Sequence, residues 1–191
     1  PYENFRGMTL RGHTLGILGG GAVGSRMLAR ALGFGMTVQV YDPYLPPNAF
    51  GERARIVDLP ELMRSSDVVS VHVPLNPSTV GLVTADHIAM MKPTAYFIMA
   101  GRAATVDEDA LMGALRNRRI AGAGFDVYWR EPLPIDSELF ELPNVTLTPH
   151  IAGASDGVVD EQTRIATTAI LDWHAGRTPR AVANAKDLGL N

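Results

Sequence analysis

The histidines are the side chains best able to exchange protons near neutral pH, and their places in the sequence separate them. His150 directly follows the segment 145–149, VTLTP, which predicts a short strand and an extended turn. It is the better candidate acid/base. His72 lies within the apolar run VVSVHVP, where we expect a buried structural histidine. Three more precede the first predicted strand or lie on predicted helices, which favours solvent-exposed or capping roles: His13, His87 and His174.

Three charged residues could complete a site around His150. Glu131 lies 19 residues earlier and could orient the imidazole and stabilise its charged form, although a loop glutamate taken alone is usually just solvated. Arg102 follows the predicted strand AYFIMA, so its guanidinium would emerge at the same sheet edge and could bind a carboxylate through two hydrogen bonds. Asp126 closes the predicted strand IAGAGFDV and is a fourth polar residue at that edge.

A glycine cluster stands between an apolar run, TLGIL, and a segment of helical periodicity. Its frame is Gly19-x-Gly21-x-x-Gly24, and the next strand, MTVQVY, is closed by Asp42. This pattern predicts a dinucleotide-binding turn: Gly19 for the tight turn, Gly21 for close approach of the pyrophosphate, and Gly24 for helix–strand packing. The Asp42 carboxylate could accept hydrogen bonds from both ribose hydroxyls and would repel a 2′-phosphate, which favours NAD over NADP.

The elements that must position these residues alternate between apolar runs and helical patterns. Strands are predicted at 14–18, 36–41, 54–57, 68–73, 95–100, 120–127 and 145–147. Helices are predicted from the glycines to 33, and at 58–65, 84–91, 106–116 and 158–173, while 128–143 is expected to wrap the surface. The pattern predicts an α/β fold of Rossmann type, with a doubly wound parallel sheet in a single domain at 14–176. Residues 1–13 are then a lead-in and 177–191 a tail.

Composition excludes several classes of function. The 191 residues are 46% hydrophobic, enough for a large core, and a net charge of -3 without long charged runs argues against nucleic acid as a partner. Zero cysteines exclude disulfides and thiolate sites and fit a reducing compartment. The sequence offers neither convincing metal-ligand spacing nor an apolar run that could span a bilayer, so we expect a soluble, cytoplasmic protein. A chain that begins at Pro1 suggests a fragment.

These motifs in combination resemble the D-isomer-specific 2-hydroxyacid dehydrogenases, which include D-3-phosphoglycerate dehydrogenases. The resemblance covers about 7–176 and rests on GILGGGAVG at 16–24, VHVPL at 71–75 with ST at 78–79, GRAATVDE at 101–108, GAGFDV at 122–127 with EP at 131–132, and TPH at 148–150. It implies Arg102 as the binder of the substrate carboxylate and carbonyl, His150 as general acid/base, and Glu131 as the partner that raises the imidazole's affinity for a proton. Glutamate at 131 also argues against the formate dehydrogenase branch, which carries glutamine there.

The glycine turn and the resemblance together predict the contacts with NAD. The predicted cofactor-binding residues are Gly19, Gly21, Ala22, Val23, Gly24, Asp42, Val73, Pro74, Thr79, Ala100, Gly101, Arg102, Asp126, His150, Ala152 and Gly153. The resemblance also implies a D-2-hydroxy acid and its 2-oxo acid as the substrate pair, and a homodimer formed through this domain. The chain departs from the family at Met99 and Ala103, where asparagine and glycine are common.

Family members also carry a substrate-binding domain built from an N-terminal stretch and the C-terminal tail. We expect this chain to lack it and to hold the three catalytic residues but half of the cleft, so that the isolated chain turns over poorly. Two alternatives stay open. One is an NAD(H)-sensing interaction module, because the family includes transcriptional corepressors with the same fold; the other is a different NAD enzyme on this fold.

Overall fold

The structure of the chain is a computed structural model that describes residues 7–180, 182, 185, 188 and 189. Within them the chain forms two compact units, which divide between His150 and Ile151. The predicted lead-in and tail lie partly outside the described residues. The domain predicted at 14–176 spans the division between the units and stays a prediction.

One parallel sheet organises the first unit. In its described part the sheet has seven strands in the order β3-β2-β1-β4-β5-β6-β7. These are β1 (Thr14–Leu18), β2 (Thr37–Tyr41), β3 (Arg55–Ile56), β4 (Val68–Val71), β5 (Tyr96–Met99), β6 (Gly122–Phe125) and β7 (Val145–Leu147). The strand order reverses direction between β1 and β4, which is where open α/β sheets bind ligands. The predicted fold class is confirmed.

Four helices connect these strands, and a fifth lies in the second unit. The helices in the described part of the chain are α1 (Ala22–Gly33), α2 (Leu59–Ser65), α3 (Ala85–Ala89), α4 (Glu108–Arg116) and α5 (Asp156–His174). Asp58, Thr84 and Asp107 cap α2, α3 and α4 by accepting backbone N–H groups three residues further on. His87 completes the cap of α3, as predicted. None of the described helices is long and apolar enough to cross a bilayer.

Apolar clusters form the core on the two faces of the sheet. Leu28 of α1 packs in one cluster with Ile17 of β1, and Leu115 of α4 packs in the other with Phe97 of β5. Ile17 is in register with Ser70 and Ile98 across β4 and β5, so the neighbouring Phe97 points to the opposite face. Because all the pairings between the described strands are parallel, the carboxyl ends of these strands lie along one edge of the sheet.

Three local predictions are wrong. β4 ends at Val71 and β6 at Phe125, both earlier than predicted, because the chain leaves the ladder to line the carboxyl edge. The segment 128–143 does more than wrap the surface, since Tyr128 and Leu139 are buried against the core.

Candidate active site

Glu131 and His150 form a hydrogen-bonded couple beyond the carboxyl ends of β6 and β7. The Nδ1 atom of His150 lies 2.8 Å from Oε2 of Glu131, and Oε1 accepts the backbone N–H of Tyr128 at 2.9 Å. His150 has a φ of 55°, a left-handed conformation that is uncommon for residues other than glycine. The side chains are 44% and 38% exposed, so both members of the couple can be reached from solvent.

The charge on Glu131 is stabilised by its surroundings. The backbone N–H of Tyr128, the His150 side chain and, more weakly, the Arg102 guanidinium lower the pKa of Glu131 below its ordinary value. The carboxyl group is therefore ionised at neutral pH. A carboxylate facing Nδ1 assigns the ring proton to that nitrogen and leaves Nε2 free to exchange a proton with a substrate.

Arg102 joins this edge directly after β5. It opens a 3₁₀ turn at Ala103–Thr105, its side chain is exposed, and one guanidinium nitrogen donates to the carbonyl of Gly101 at 2.8 Å. Its charge is among the weaker causes that lower the pKa of Glu131. Met99 and Ala103, the two departures from the family pattern, are both buried in the apolar core.

The glycine turn follows β1 and leads into α1. Gly19 has a φ of +95°, and a Cβ on Gly24 would lie 1.9 Å from the Gly19 carbonyl oxygen, so side chains are excluded at both positions. A Cβ on Gly21 would meet nothing within 4 Å, which leaves open space above the turn. That space adjoins the N-terminus of α1, whose free N–H groups attract phosphate.

Asp42 is held against the glycine turn. Its Oδ2 atom accepts the N–H of Gly20 at 2.9 Å, and its Oδ1 atom accepts the N–H of Tyr44 at 3.0 Å. A carboxylate has about four acceptor sites, so capacity for two ribose hydroxyls is left over. The position and charge of Asp42 fit the adenosine end of a dinucleotide.

A cavity of about 500 Å³ runs from the glycine turn to Arg102. Its lining residues are Gly21, Ala22, Val23, His72, Val73, Pro74, Leu75, Ala100, Gly101 and Arg102. Eight of these ten were predicted cofactor contacts; the sequence did not assign His72 and Leu75 to this site. The open turn, the acidic residue beside it and this cavity together fit a dinucleotide.

His72 was predicted to be a buried structural histidine, but it is only half-buried and lines this cavity. Its Nε2 atom lies 2.9 Å from the hydroxyl of Ser70, while burial lowers its pKa. The ring is therefore neutral at neutral pH. Its position directly after β4, two residues from Ser70 on the same face, was the available signal.

The remaining predicted cofactor residues lie outside the wall of this cavity. The Thr79 hydroxyl donates to the carbonyl of Pro74 at 2.6 Å and closes its own loop, and Asp126 accepts the hydroxyl of Thr148. Ala152 and Gly153 belong to the second unit. Contacts of these four residues with a cofactor, like those of the other predicted residues, stay predictions. Among the described residues, no group of histidine and acidic side chains is arranged to hold a metal ion.

A second cavity, of about 630 Å³, adjoins the couple and was missed from the sequence. Its wall is mostly apolar and consists of Tyr128, Glu131, Pro132, Leu133, Phe140, Leu147, Thr148, Pro149 and His150. The sequence feature that could have predicted this cavity is the recurrence of apolar residues through 128–149, because a loop that only covers the surface does not require them. Both Glu131 and His150 therefore line an apolar cavity.

Comparison with known proteins decides the family. Residues 2–152 match the model of the D-isomer specific 2-hydroxyacid dehydrogenase, NAD binding domain. The chain belongs to this family. As an NAD-binding domain of these dehydrogenases, it carries the glycine turn, Asp42, Arg102 and Glu131–His150 on one sheet edge, and the expectation of NAD as cofactor is confirmed.

Relatives of this NAD-binding domain are reductases and dehydrogenases. A glyoxylate reductase from Thermococcus litoralis is 38% identical over 181 residues, 94% of this chain and 54% of the relative. The NAD-complexed D-isomer specific 2-hydroxyacid dehydrogenase from Lactobacillus delbrueckii ssp. bulgaricus is 31% identical with a TM-score of 0.84, covering 95% of this chain and 59% of that one. An acyclic imino acid reductase in complex with NADPH and D-Arg is 29% identical with a TM-score of 0.87, covering 95% and 57%.

The chain thus spans about half the length of the relatives it matches. The relatives described above are named as enzymes, so they lend no support to the corepressor alternative. Family membership and fold are established at the level of the NAD-binding domain.

Proposed function

We propose that this domain serves an NAD-dependent oxidoreductase that interconverts a D-2-hydroxy acid and its 2-oxo acid. The observation that carries the proposal is the Glu131–His150 couple, 2.8 Å apart, on the same sheet edge as Arg102 and the glycine turn. A proton-exchanging group, a carboxylate binder and a dinucleotide turn are the parts that oxidation of a 2-hydroxy acid requires.

His150 handles the proton in this proposal. With Nδ1 bound to Glu131, the Nε2 atom takes the hydroxyl proton during oxidation and returns it to the carbonyl oxygen during reduction. Glu131 stabilises the imidazolium that forms and holds the ring in one orientation. Because the pKa of Glu131 is lowered, its carboxylate keeps this role throughout the neutral and mildly acidic range.

Arg102 orients the substrate. Its planar guanidinium can bind the substrate carboxylate through two hydrogen bonds, and its exposed position after β5 leaves it free to do so. The nicotinamide cofactor, when bound, supplies the other half of the chemistry by accepting or giving a hydride. The cavity that joins the glycine turn to Arg102 supports this arrangement.

We also propose a preference for NAD over NADP. The support is Asp42, whose carboxylate is fixed by the N–H groups of Gly20 and Tyr44 and would repel a 2′-phosphate. The two solved relatives described above differ in this respect, one holding NAD and the other NADPH. The turn after β2 is therefore where this chain's choice is encoded.

The proposal is tested by cofactor titration and a substrate panel. Calorimetry with NADH and NADPH in parallel should show tighter binding of NADH to the 191-residue chain. The intact gene product, assayed with 2-oxo acids from glyoxylate upward, should oxidise NADH with at least one of them. Failure of NADH to bind would refute the proposal at its root.

The alternatives predict other results in the same assays. Association with a partner that responds to NADH, without turnover of any 2-oxo acid, would favour the sensing module. Full activity after His150→Asn would favour a different NAD enzyme on this fold.

Assembly and location complete the proposal. We propose a homodimer formed through this domain, supported by the resemblance of the chain to a family that dimerises in this way. Light scattering of the intact gene product should give twice the chain mass, and a monomer would contradict this part alone. A cytoplasmic location is proposed because the chain contains no cysteine, as suits a reducing compartment.

A further inference from the structure

Tyr128 forms hydrogen bonds both with Glu131 and with the segment that carries His150. It follows β6 closely, is 9% exposed, and its ring stacks on Phe125 with centroids 6.4 Å apart. Its backbone N–H donates to Oε1 of Glu131 at 2.9 Å. Tyr128 therefore binds one oxygen of the Glu131 carboxylate while His150 binds the other.

The hydroxyl of Tyr128 reaches the histidine half. It donates to the carbonyl oxygen of Thr148 at 2.7 Å, across a sequence separation of 20 residues. The same carbonyl accepts the backbone N–H of His150 at 3.0 Å. The carbonyl oxygen of Thr148 thus accepts hydrogen bonds from both the Tyr128 hydroxyl and the His150 backbone N–H.

We propose that Tyr128 is a positioning residue for hydride transfer, fixing the distance between Glu131 and His150 through its main chain and its hydroxyl. The inference rests on the proposed function, because it assigns Tyr128 a part in that reaction. Tyr128 takes no proton and touches no substrate in this role. It acts through the couple.

The exposure of the couple explains why such a brace is needed. Ion pairs between partly exposed side chains contribute little energy and hold their geometry weakly. Glu131 and His150 are 38% and 44% exposed, and each follows a strand by several loop residues. A buried ring that binds both segments restricts them far more than their mutual attraction does.

The hydroxyl remains a donor under all working conditions. Burial, the nearby charge of Asp126 and, more weakly, Glu131 raise the pKa of Tyr128. The phenol therefore stays protonated at neutral and mildly alkaline pH. The link to the Thr148 carbonyl persists across that range.

Tyr128→Phe isolates this link, because phenylalanine keeps the ring and the backbone N–H and removes the hydroxyl. In the intact gene product we expect kcat for 2-oxo acid reduction to fall about tenfold, since small displacements of catalytic groups are costly, with the KM for NADH unchanged. The pH above which reduction declines should move lower, because a poorly placed carboxylate stabilises the imidazolium less. Tyr96→Phe, on β5 of the same sheet, is the matched control and should change none of these.

A second measurement does not depend on turnover. In the 191-residue chain, the NMR signal of the His150 Nδ1 proton should be sharp in the wild type, absent in Glu131→Gln, and broadened in Tyr128→Phe. An unchanged signal and an unchanged pH profile, with lower thermal stability, would reduce Tyr128 to a packing residue and overturn the inference. Wild-type protein that neither binds NADH nor reduces any 2-oxo acid would instead refute the proposed function, and the NMR comparison would still show whether Tyr128 holds the couple.

Discussion

At the scale of single residues, the site depends on how few groups hold each functional side chain. Glu131 is bound by one backbone N–H and one imidazole, and Asp42 by two backbone N–H groups. Two of these backbone donors, Tyr128 and Tyr44, lie three and two residues from the acid that they bind. Such local hydrogen bonds need no long-range packing to form. The pairing of Glu131 with His150 was predicted from the sequence, whereas the backbone donors to Glu131 and Asp42 were not.

His150→Asn should remove the acid/base without disturbing the fold. Asparagine tolerates left-handed backbone better than most residues, so the φ of 55° can be kept. We expect kcat in the intact gene product to fall by about 10²–10⁴, the usual contribution of a general acid/base. The circular dichroism spectrum should match that of the wild type, and a changed spectrum would indicate a folding defect instead.

At the scale of secondary structure, the β1–α1–β2 unit was predictable almost to the residue. The glycine spacing and the helical period of 22–33 reflect local sterics, and the structure has β1 and the end of α1 where they were predicted. The segment 128–143 was not predictable in this way. Its course is set by distant contacts, such as the bond from Tyr128 to Thr148 and that from Trp129 to the Val106 carbonyl, which leave no local periodicity.

Gly24→Ala should disrupt the contact between α1 and the turn. A Cβ there would lie 1.9 Å from the Gly19 carbonyl oxygen, so the helix must move away from the strand. We expect a loss of at least about 3 kcal/mol in unfolding free energy, the upper end for overpacked cores, and loss of NADH binding. Gly33→Ala, in the same helix but with nothing within 4 Å of its Cβ, is the control for urea unfolding and should be neutral or stabilising. Equal stability of the two variants would contradict the packing argument.

Asp67 ties the start of β1 to the chain before β4. Burial opposes its ionisation, but hydrogen bonds from Lys92 and the Thr14 N–H outweigh this and leave the pKa of Asp67 below its ordinary value. The ionised carboxylate therefore stabilises the fold at any pH above the ordinary pKa of aspartate. This contribution is lost as the pH falls through the lowered folded-state pKa of Asp67.

Asp67→Asn should cost about 1–3 kcal/mol at pH 7, typical of hydrogen bonds to a charged group. The cost should be smaller at pH 3 than at pH 7 in urea unfolding experiments, because pH 3 lies below the ordinary pKa of aspartate and the advantage of the ionised folded state begins to be lost there. Asp136→Asn, at an exposed aspartate, should leave unfolding unchanged at both pH values. A pH-independent difference between wild type and Asp67→Asn would show that the charge is not involved.

At the scale of the whole molecule, the chain carries the glycine turn and the Glu131–His150 couple but spans about half the length of its relatives. The couple is open to solvent, with side chains 38% and 44% exposed. Hydride transfer benefits from exclusion of water, and a site with this degree of exposure does not exclude water.

The isolated 191-residue chain should therefore bind NADH yet turn over slowly. Its kcat should lie well below that of the intact gene product with the same 2-oxo acid, as followed by NADH absorbance, because closure of the site is missing. Comparable turnover by both forms would show that the open site is sufficient. The His150→Asn form of the isolated chain gives the background rate.

The left-handed backbone at position 150 also restricts how the sequence can change over evolutionary time. A substitution there must suit the positive φ as well as the chemistry, and β-branched or bulky residues are strained in that region. The replacements that adopt this backbone with least strain are glycine, asparagine and aspartate, of which none exchanges protons as an imidazole does near neutral pH. A descendant that loses its histidine would pass most readily to asparagine, keeping the turn and the cofactor site while giving up the chemistry.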